Sequence, residues 1–307
     1  MYGSILVSGG NGFLGSYIVD RGVSQNYEVT VVDDLSTSKD RNVPEKVNFI
    51  HEKIEKYDTD ERYDYVIHLA ARPSPEDYIS HPVDTISSNS LGTLKMLEIA
   101  RKGDSVFMYT SSSEVYGNAG IIPTPESYYG YVNPNGIRSC YDEGKRFSEA
   151  LIMAYYREYG LDVRIERPFN VYGPRIREDG QYGRVIPRFI MQALKNEPLT
   201  IHGQGTQTRS FLYIDDWVDA SWKFLTGNYK GEIINIGSDK EITILELARK
   251  IIHLSGSSSG ITFLPERKDD PMRRAADLTN VKNILKWEPR IPLEEGLDKT
   301  IEWFKVI

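Results

Sequence analysis

Residues 4–16 read SILVSGGNGFLGS. A short apolar run ends in glycines, and a helical pattern through Phe13, Leu14, Ile18 and Val19 begins at once. A strand that turns directly into a helix is the setting dinucleotide binding requires, although glycines at this spacing can also serve only a turn. Gly9, Gly12 and Gly15 form a Gly-x-x-Gly-x-x-Gly loop. The first would permit the tight turn, the second a close approach of backbone to a pyrophosphate, and the third close packing of helix on strand. The helix N-terminus adds partial positive charge toward that anion. Asp33 closes the next apolar run, EVTVVDD (28–34), where a carboxylate grips the hydroxyls of an adenosine ribose. It would repel a 2′-phosphate, so the reading is NAD rather than NADP.

Outward from this loop the apolar runs alternate with helical patterns. VNFIHEKI (47–54), YDYVIHLAA (63–71), SVFMYTSSS (105–113) and VRIERPFN (163–170) read as further strands. Helices are predicted from Ser87 to Arg101, with Leu91, Leu94, Met96 and Leu97 as the apolar stripe, and from the Tyr141 region to Tyr159. Such alternation implies right-handed crossovers and a doubly wound parallel sheet of Rossmann type, covered on both faces. After Asn170 the texture changes to Gly- and Pro-rich loops and shorter elements, including a Trp-containing helix, a brief strand IINIG (233–237) and a helix in ITILELARKIIHLSG (242–256). The predicted organisation is an NAD-binding domain over 1–170 and a smaller α/β substrate domain mainly over 171–307, with some segments returning to the first.

The chain has 307 residues, 40% hydrophobic and 26% charged, the content of a soluble globular protein. A net charge of -7 argues against a nucleic-acid partner bound by broad electrostatics. No run approaches the roughly 18 apolar residues of a membrane span. The amino terminus opens on a strand pattern without a signal-peptide n-region, and the single cysteine, Cys140, suits a reducing compartment, so a cytoplasmic location is expected. The five histidines show no ligand spacing, and no metal site is expected.

Chemistry enters with GIRSCYDEGKRFSEAL (136–151). In a helix, Tyr141 and Lys145 stack one turn apart. The ammonium would favour the phenolate, and a phenol tuned in this way exchanges protons with an alcohol near neutral pH. With 20 tyrosines a chance Tyr-x-x-x-Lys is unremarkable, so the pair needs its surroundings. These are SSSEVYG (111–117), at the carboxyl end of the fifth strand, where ligands of parallel sheets bind. Ser112 is placed there to hydrogen-bond a substrate hydroxyl together with Tyr141.

The glycine loop, Ser112 and Tyr141-x-x-x-Lys145 together resemble the extended short-chain dehydrogenase/reductase family, which remodels nucleotide sugars. The likeness runs from Ile5 to about Phe304. HLAA (68–71) is similar to that family's fourth-strand segment, and NSLGT (89–93) to its Asn-x-x-Gly-Thr helix. The resemblance implies NAD contacts from Phe13, Leu14, Leu69, Ala70, Ala71, Asn89 and Pro168, with Lys145 and Tyr141 at the nicotinamide ribose. It implies sugar-nucleotide contacts from Ser113, from Asn170 in PFNVYGP (168–174), and from Arg209 and Arg274, two guanidiniums suited to a diphosphate. One departure is Glu52-Lys53-Ile54, where relatives commonly place an aspartate on the adenine.

The implied chemistry begins with oxidation at C4 of a UDP-sugar. The ketone then has three fates: reduction from the other face (4-epimerase), loss of water (4,6-dehydratase), or loss of carbon dioxide if C6 is a carboxylate. Glu114, where simple epimerases carry a small or neutral residue, favours the last. NPNGIRSCYDEGKR (133–146), PSPEDYISHPVDT (73–85) and the DDPMRR segment resemble the UDP-glucuronate decarboxylase branch, in which Arg274 would face the uronate with Glu114 opposite. A UDP-sugar 4-epimerase is the alternative, and a non-catalytic NAD-binding protein is the reading outside catalysis. Relatives pair their helices into four-helix bundles, so a homodimer is expected through the segments of Leu94 and Met153–Tyr156.

Overall fold

The computed structural model describes residues 3–38, 41–178, 184–266 and 272–306. Asp269 to Pro271 of the DDPMRR segment and residues 179–183 of the Gly- and Pro-rich loop lie outside the described residues. Seven strands form one sheet: β1 (Ser4–Ser8), β2 (Glu28–Asp33), β3 (Asn48–His51), β4 (Tyr65–His68), β5 (Val106–Thr110), β6 (Val163–Pro168) and β7 (Ile233–Ile236). Their order is β7-β6-β5-β4-β1-β2-β3, and every neighbouring pair is parallel. The inner strands are buried along almost their whole length, as strands covered on both faces must be.

Alternation along β1 divides the core. Ile5 and Val7 join Val19, Val31, Trp217 and Phe224 on one face, beneath the helices Phe13–Ser24 and Ile214–Thr226. Leu6 joins Phe107, Val163, Met96 and Ile152 on the other, beneath Thr93–Gly103 and Ser139–Tyr159. The chain leaves β1 toward β2 and β3 and comes back to β4 on the opposite side. The carboxyl ends of β1 and β4 therefore flank the crevice in which such sheets bind ligands.

One expectation needs correcting. The Ser87–Arg101 helix is composite: a helix Pro82–Ser87, a π-helical turn Ser88–Gly92, then Thr93–Gly103. Its buried stripe is Met96, Leu97, Ile99 and Ala100, whereas Leu91 and Leu94 point outward. Beyond residue 170 the chain returns to the large sheet with β7, a segment of the kind expected to come back to the first domain.

The carboxy-terminal part builds a smaller α/β unit. Thr208–Ser210 lies between Glu241–Thr243, antiparallel, and Arg273–Arg274, parallel. A capping box, with Thr243 Oγ1 accepting from Glu246 N (3.1 Å) and Glu246 Oε2 from Thr243 N (3.0 Å), starts the helix Ile244–Ser255. Among the described residues no helix is long and apolar enough to cross a membrane.

Candidate active site

A cavity of about 960 Å³ runs across the carboxyl ends of β1, β2, β4, β5 and β6 into the smaller unit. Its floor is the glycine loop. Gly9 has φ +69°, and a Cβ there would lie 2.6 Å from Ala70 N. A Cβ on Gly15 would stand 2.2 Å from Gly9 O. These are positions where only glycine leaves the cradle open, which fits a dinucleotide whose backbone must come close. Gly15→Ala is expected to weaken NAD binding roughly 5- to 150-fold, the equivalent of about 1–3 kcal/mol of overpacking. Titration with NAD followed by tyrosine and tryptophan fluorescence would check it, and unchanged affinity would refute this use of the loop.

Asp33 accepts from the amides of Asn11 and Leu35, both at 2.9 Å. Burial raises its carboxyl above the ordinary value, and these two bonds work against that rise. Asn11, which sequence reasoning passed over, is fully buried. It donates to Ser38 Oγ (2.7 Å) and accepts from the Asn42 amide (2.7 Å), tying the loop after β2 to the glycine loop. A buried Asn between glycines must find such partners, and that is the signal that could have marked it.

Tyr141 and Lys145 sit in the first turns of the Ser139–Tyr159 helix, both buried. Lys145 Nζ donates to Thr110 O (2.8 Å) and lies 5.8 Å from the centre of the Tyr141 ring. Ser112 lines the same cavity beside Tyr141 and Lys145, which brings the predicted trio together. The expected tuning differs. Burial raises the Tyr141 phenol above its ordinary value, with Ser112 pulling the other way. Burial also pushes Lys145 down to about 7, against the pull of Glu149 and Glu166. Desolvation outweighs the neighbouring charge at both groups.

Glu114, in the turn Ser113–Tyr116, is held by two guanidiniums. Arg274 grips both carboxylate oxygens, Nη2 to Oε2 at 2.9 Å, and Arg138 Nη2 donates to Oε2. Burial alone would raise this carboxyl, yet Arg138 and Arg274 overcome it and hold Glu114 below the usual range. Asp142 lies behind Arg138, Oδ2 to Nε 3.7 Å. Burial, reinforced by Glu114, pushes Asp142 well up. Arg274 thus meets Glu114 directly. Arg209 is its register partner on the adjacent strand.

Every predicted site residue lines the cavity except Asn89. That side chain is fully buried behind the wall, donating to Thr85 O (2.9 Å) and accepting from Tyr109 (3.4 Å). Asn170, at φ +43°, lines the cavity and donates to Ser210 O (2.9 Å). Cys140 is a buried free thiol near Tyr78 O (3.5 Å), raised by burial and so a poor nucleophile. Sequence reasoning also missed Arg138 and Arg184, both on the wall. The spacing of Arg138 four residues before Asp142 was its only local sign.

With the geometry in place, comparison with known proteins adds a lineage. The model of the NAD dependent epimerase/dehydratase family matches residues 5–237. UDP-glucuronic acid decarboxylase 1 of Danio rerio is 42% identical across 98% of this chain and 72% of its own length. UDP-glucose 4-epimerase from Thermotoga maritima, solved with UDP-glucose, superimposes with a TM-score of 0.90 at 32% identity, covering 99% of both chains. UDP-glucuronic acid 4-epimerase from Bacillus cereus, solved with NAD, gives 0.84 at 30% identity, again over 99% of both.

Proposed function

The chain belongs to the NAD dependent epimerase/dehydratase family, and from that premise we propose that it decarboxylates UDP-glucuronate to UDP-xylose. The observation that carries this reading is Glu114 gripped by Arg274 and Arg138 beside Tyr141, a charged cluster suited to a substrate that itself bears a carboxylate. NAD is the cofactor. The loop of Gly9, Gly12, Phe13, Leu14 and Gly15 would hold its pyrophosphate, Asp33 its adenosine ribose, Lys145 its nicotinamide ribose, and Leu69, Ala70, Ala71 and Pro168 the walls. When bound it supplies the acceptor, and later the donor, of a hydride.

Tyr141 takes the proton of the 4-hydroxyl while Ser112 orients that oxygen. The resulting ketone is β to the C6 carboxylate. The C5–C6 bond breaks, its electron pair moves to the ketone oxygen, and carbon dioxide leaves. C5 then takes up a proton, and the ketone is reduced as Tyr141 returns the proton to O4. Asn170, just beyond the end of β6, and Arg209, from the smaller unit, bind the sugar nucleotide, and Ser113 supports the sugar. Incubation with UDP-glucuronate, UDP-glucose and UDP-galactose, followed by mass-resolved chromatography, tests this. A product lighter by one carbon dioxide is expected. An isomer of unchanged mass would make the protein a 4-epimerase, the reading that likeness to the Bacillus cereus enzyme favours.

Within the same reading the protein is a cytoplasmic homodimer. Val83 is 73% exposed, Leu91 55% and Phe147 51%, on the segments 82–103 and 139–159 that carry the expected helix pair. Apolar residues so exposed on neighbouring helices favour a partner surface. Light scattering should give twice the chain mass of 35.0 kDa, and Val83→Glu with Leu91→Glu should halve it. A wild-type monomer would remove the dimer from the proposal.

A further inference from the structure

Glu114 has no free oxygen. Arg274 occupies Oε1 and shares Oε2 with Arg138. The two guanidiniums reach it from different elements. Arg274 comes from the carboxy-terminal strand beside Arg209, on the sugar-nucleotide side. Arg138 stands at the foot of the helix that carries Tyr141, its guanidinium 6.0 Å from the Tyr78 ring, which stacks on Tyr141 at 5.3 Å. Arg138 and Arg274 are two cations on Glu114, and Asp142, its carboxyl pushed well up by burial and by Glu114, offsets them only in part. A substrate carboxylate therefore arrives as a further anion competing for the same guanidiniums. Arg274 cannot grip Glu114 and that carboxylate bidentately at once. Were it the only partner, its departure would leave Glu114 buried and unpaired, and the carboxylate would take up a proton.

We propose that Arg138 is the positioning residue of Glu114: it keeps Oε2 fixed while Arg274 turns to the substrate carboxylate, leaving Oε1 as the working oxygen. This rests on the decarboxylase reading. Asp142 braces Arg138 from behind, and its Oδ1, buried without a hydrogen-bond partner, leaves that carboxylate free to follow small movements of the guanidinium. The charged and titratable groups facing Glu114 are Arg138, Arg274, Asp142, Tyr141 and Tyr78.

The test uses the full chain with NAD and measures kcat and KM for carbon dioxide release from UDP-glucuronate between about pH 3 and 9, a window that reaches down to the low range in which Glu114 is held. The portion of the profile belonging to Glu114 is the part that Glu114→Gln abolishes. In Arg138→Met that portion should move to higher pH by about 1–3 units, because a cation has been lost from a carboxylate. KM should stay within about twofold, since the partner of the substrate carboxylate is untouched. Arg138→Lys keeps the charge and loses the fork, so its profile should stay in place while kcat falls. Placed on top of Glu114→Gln, either substitution should have no further effect. An unmoved profile, or an equal loss in both backgrounds, would overturn the proposal. If Arg138→Met does not fold, comparing Arg138→Lys in the two backgrounds decides. A wild-type enzyme that releases no carbon dioxide but epimerises UDP-sugars would refute the function instead, and would do so before any variant is made.

Discussion

Replacing Tyr141 by Phe should leave a folded protein that still binds NAD but turns over roughly 10²–10⁴ times more slowly. The change removes one oxygen from a ring that is 5% exposed and stacked on Tyr78, so packing survives. What disappears is the hydroxyl that shares the cavity with Ser112 at the mouth of β5. Burial keeps the Tyr141 phenol protonated at rest, so Tyr141 must first give up that proton before it can accept the one on the 4-hydroxyl. A buried ammonium at about 7 is then partly discharged near neutrality, and its hold on the site depends on the carboxylates beneath it. The check is kcat by chromatography beside NAD content released on denaturation. Retained turnover would mean that another group carries the proton.

Arg167→Met should lower stability by about 3–5 kcal/mol, a large share of the 5–15 typical of a folded chain. Arg167 grips Glu149 with Nε to Oε1 at 2.9 Å and Nη2 to Oε2 at 2.6 Å, both side chains buried. It also donates to Tyr116 (2.7 Å), which donates to Asn235 Oδ1 (2.7 Å). Among the described residues, removing the guanidinium leaves Glu149 with the Ser111 hydroxyl as its hydrogen-bond partner and Lys145 as its nearby cation. Urea denaturation gives the number. A loss below about 1 kcal/mol would mean that water or rearrangement satisfies Glu149 easily. Because Glu149 helps keep Lys145 charged, the variant should also lose activity at pH values where the protein remains folded.

The parallel sheet and the glycine loop were legible because both are local: an apolar run of five or six residues and a fixed glycine spacing carry their own meaning. The trio of Ser112, Tyr141 and Lys145 was legible because strand end and helix start are each short patterns. The break at Ser88–Gly92 was not. There Ser88, Asn89 and Ser90 return hydrogen bonds to the carbonyls of Thr85 and Ile86, and the helix widens around side chains that read as ordinary polar positions. Asn89 was misplaced for the same reason, its amide being spent inside that turn. The grip of Arg274 on Glu114 spans 160 residues, and nothing in either neighbourhood announces it. Even the tuning of Tyr141 was misjudged, since one-turn spacing reveals the neighbour but not the depth of burial.

The position of β7 bears on how the protein comes to exist at all. Its hydrogen bonds close the outer edge of β6, yet it is synthesised some seventy residues later. Until it emerges from the ribosome, the nascent sheet presents the open edge of β6 to any other extended chain nearby. A fragment ending at residue 170 would keep that edge permanently and should precipitate, whereas one carried through Ile236 should stay in solution longer. The two halves that share the cavity thus also share the risk of misassembly.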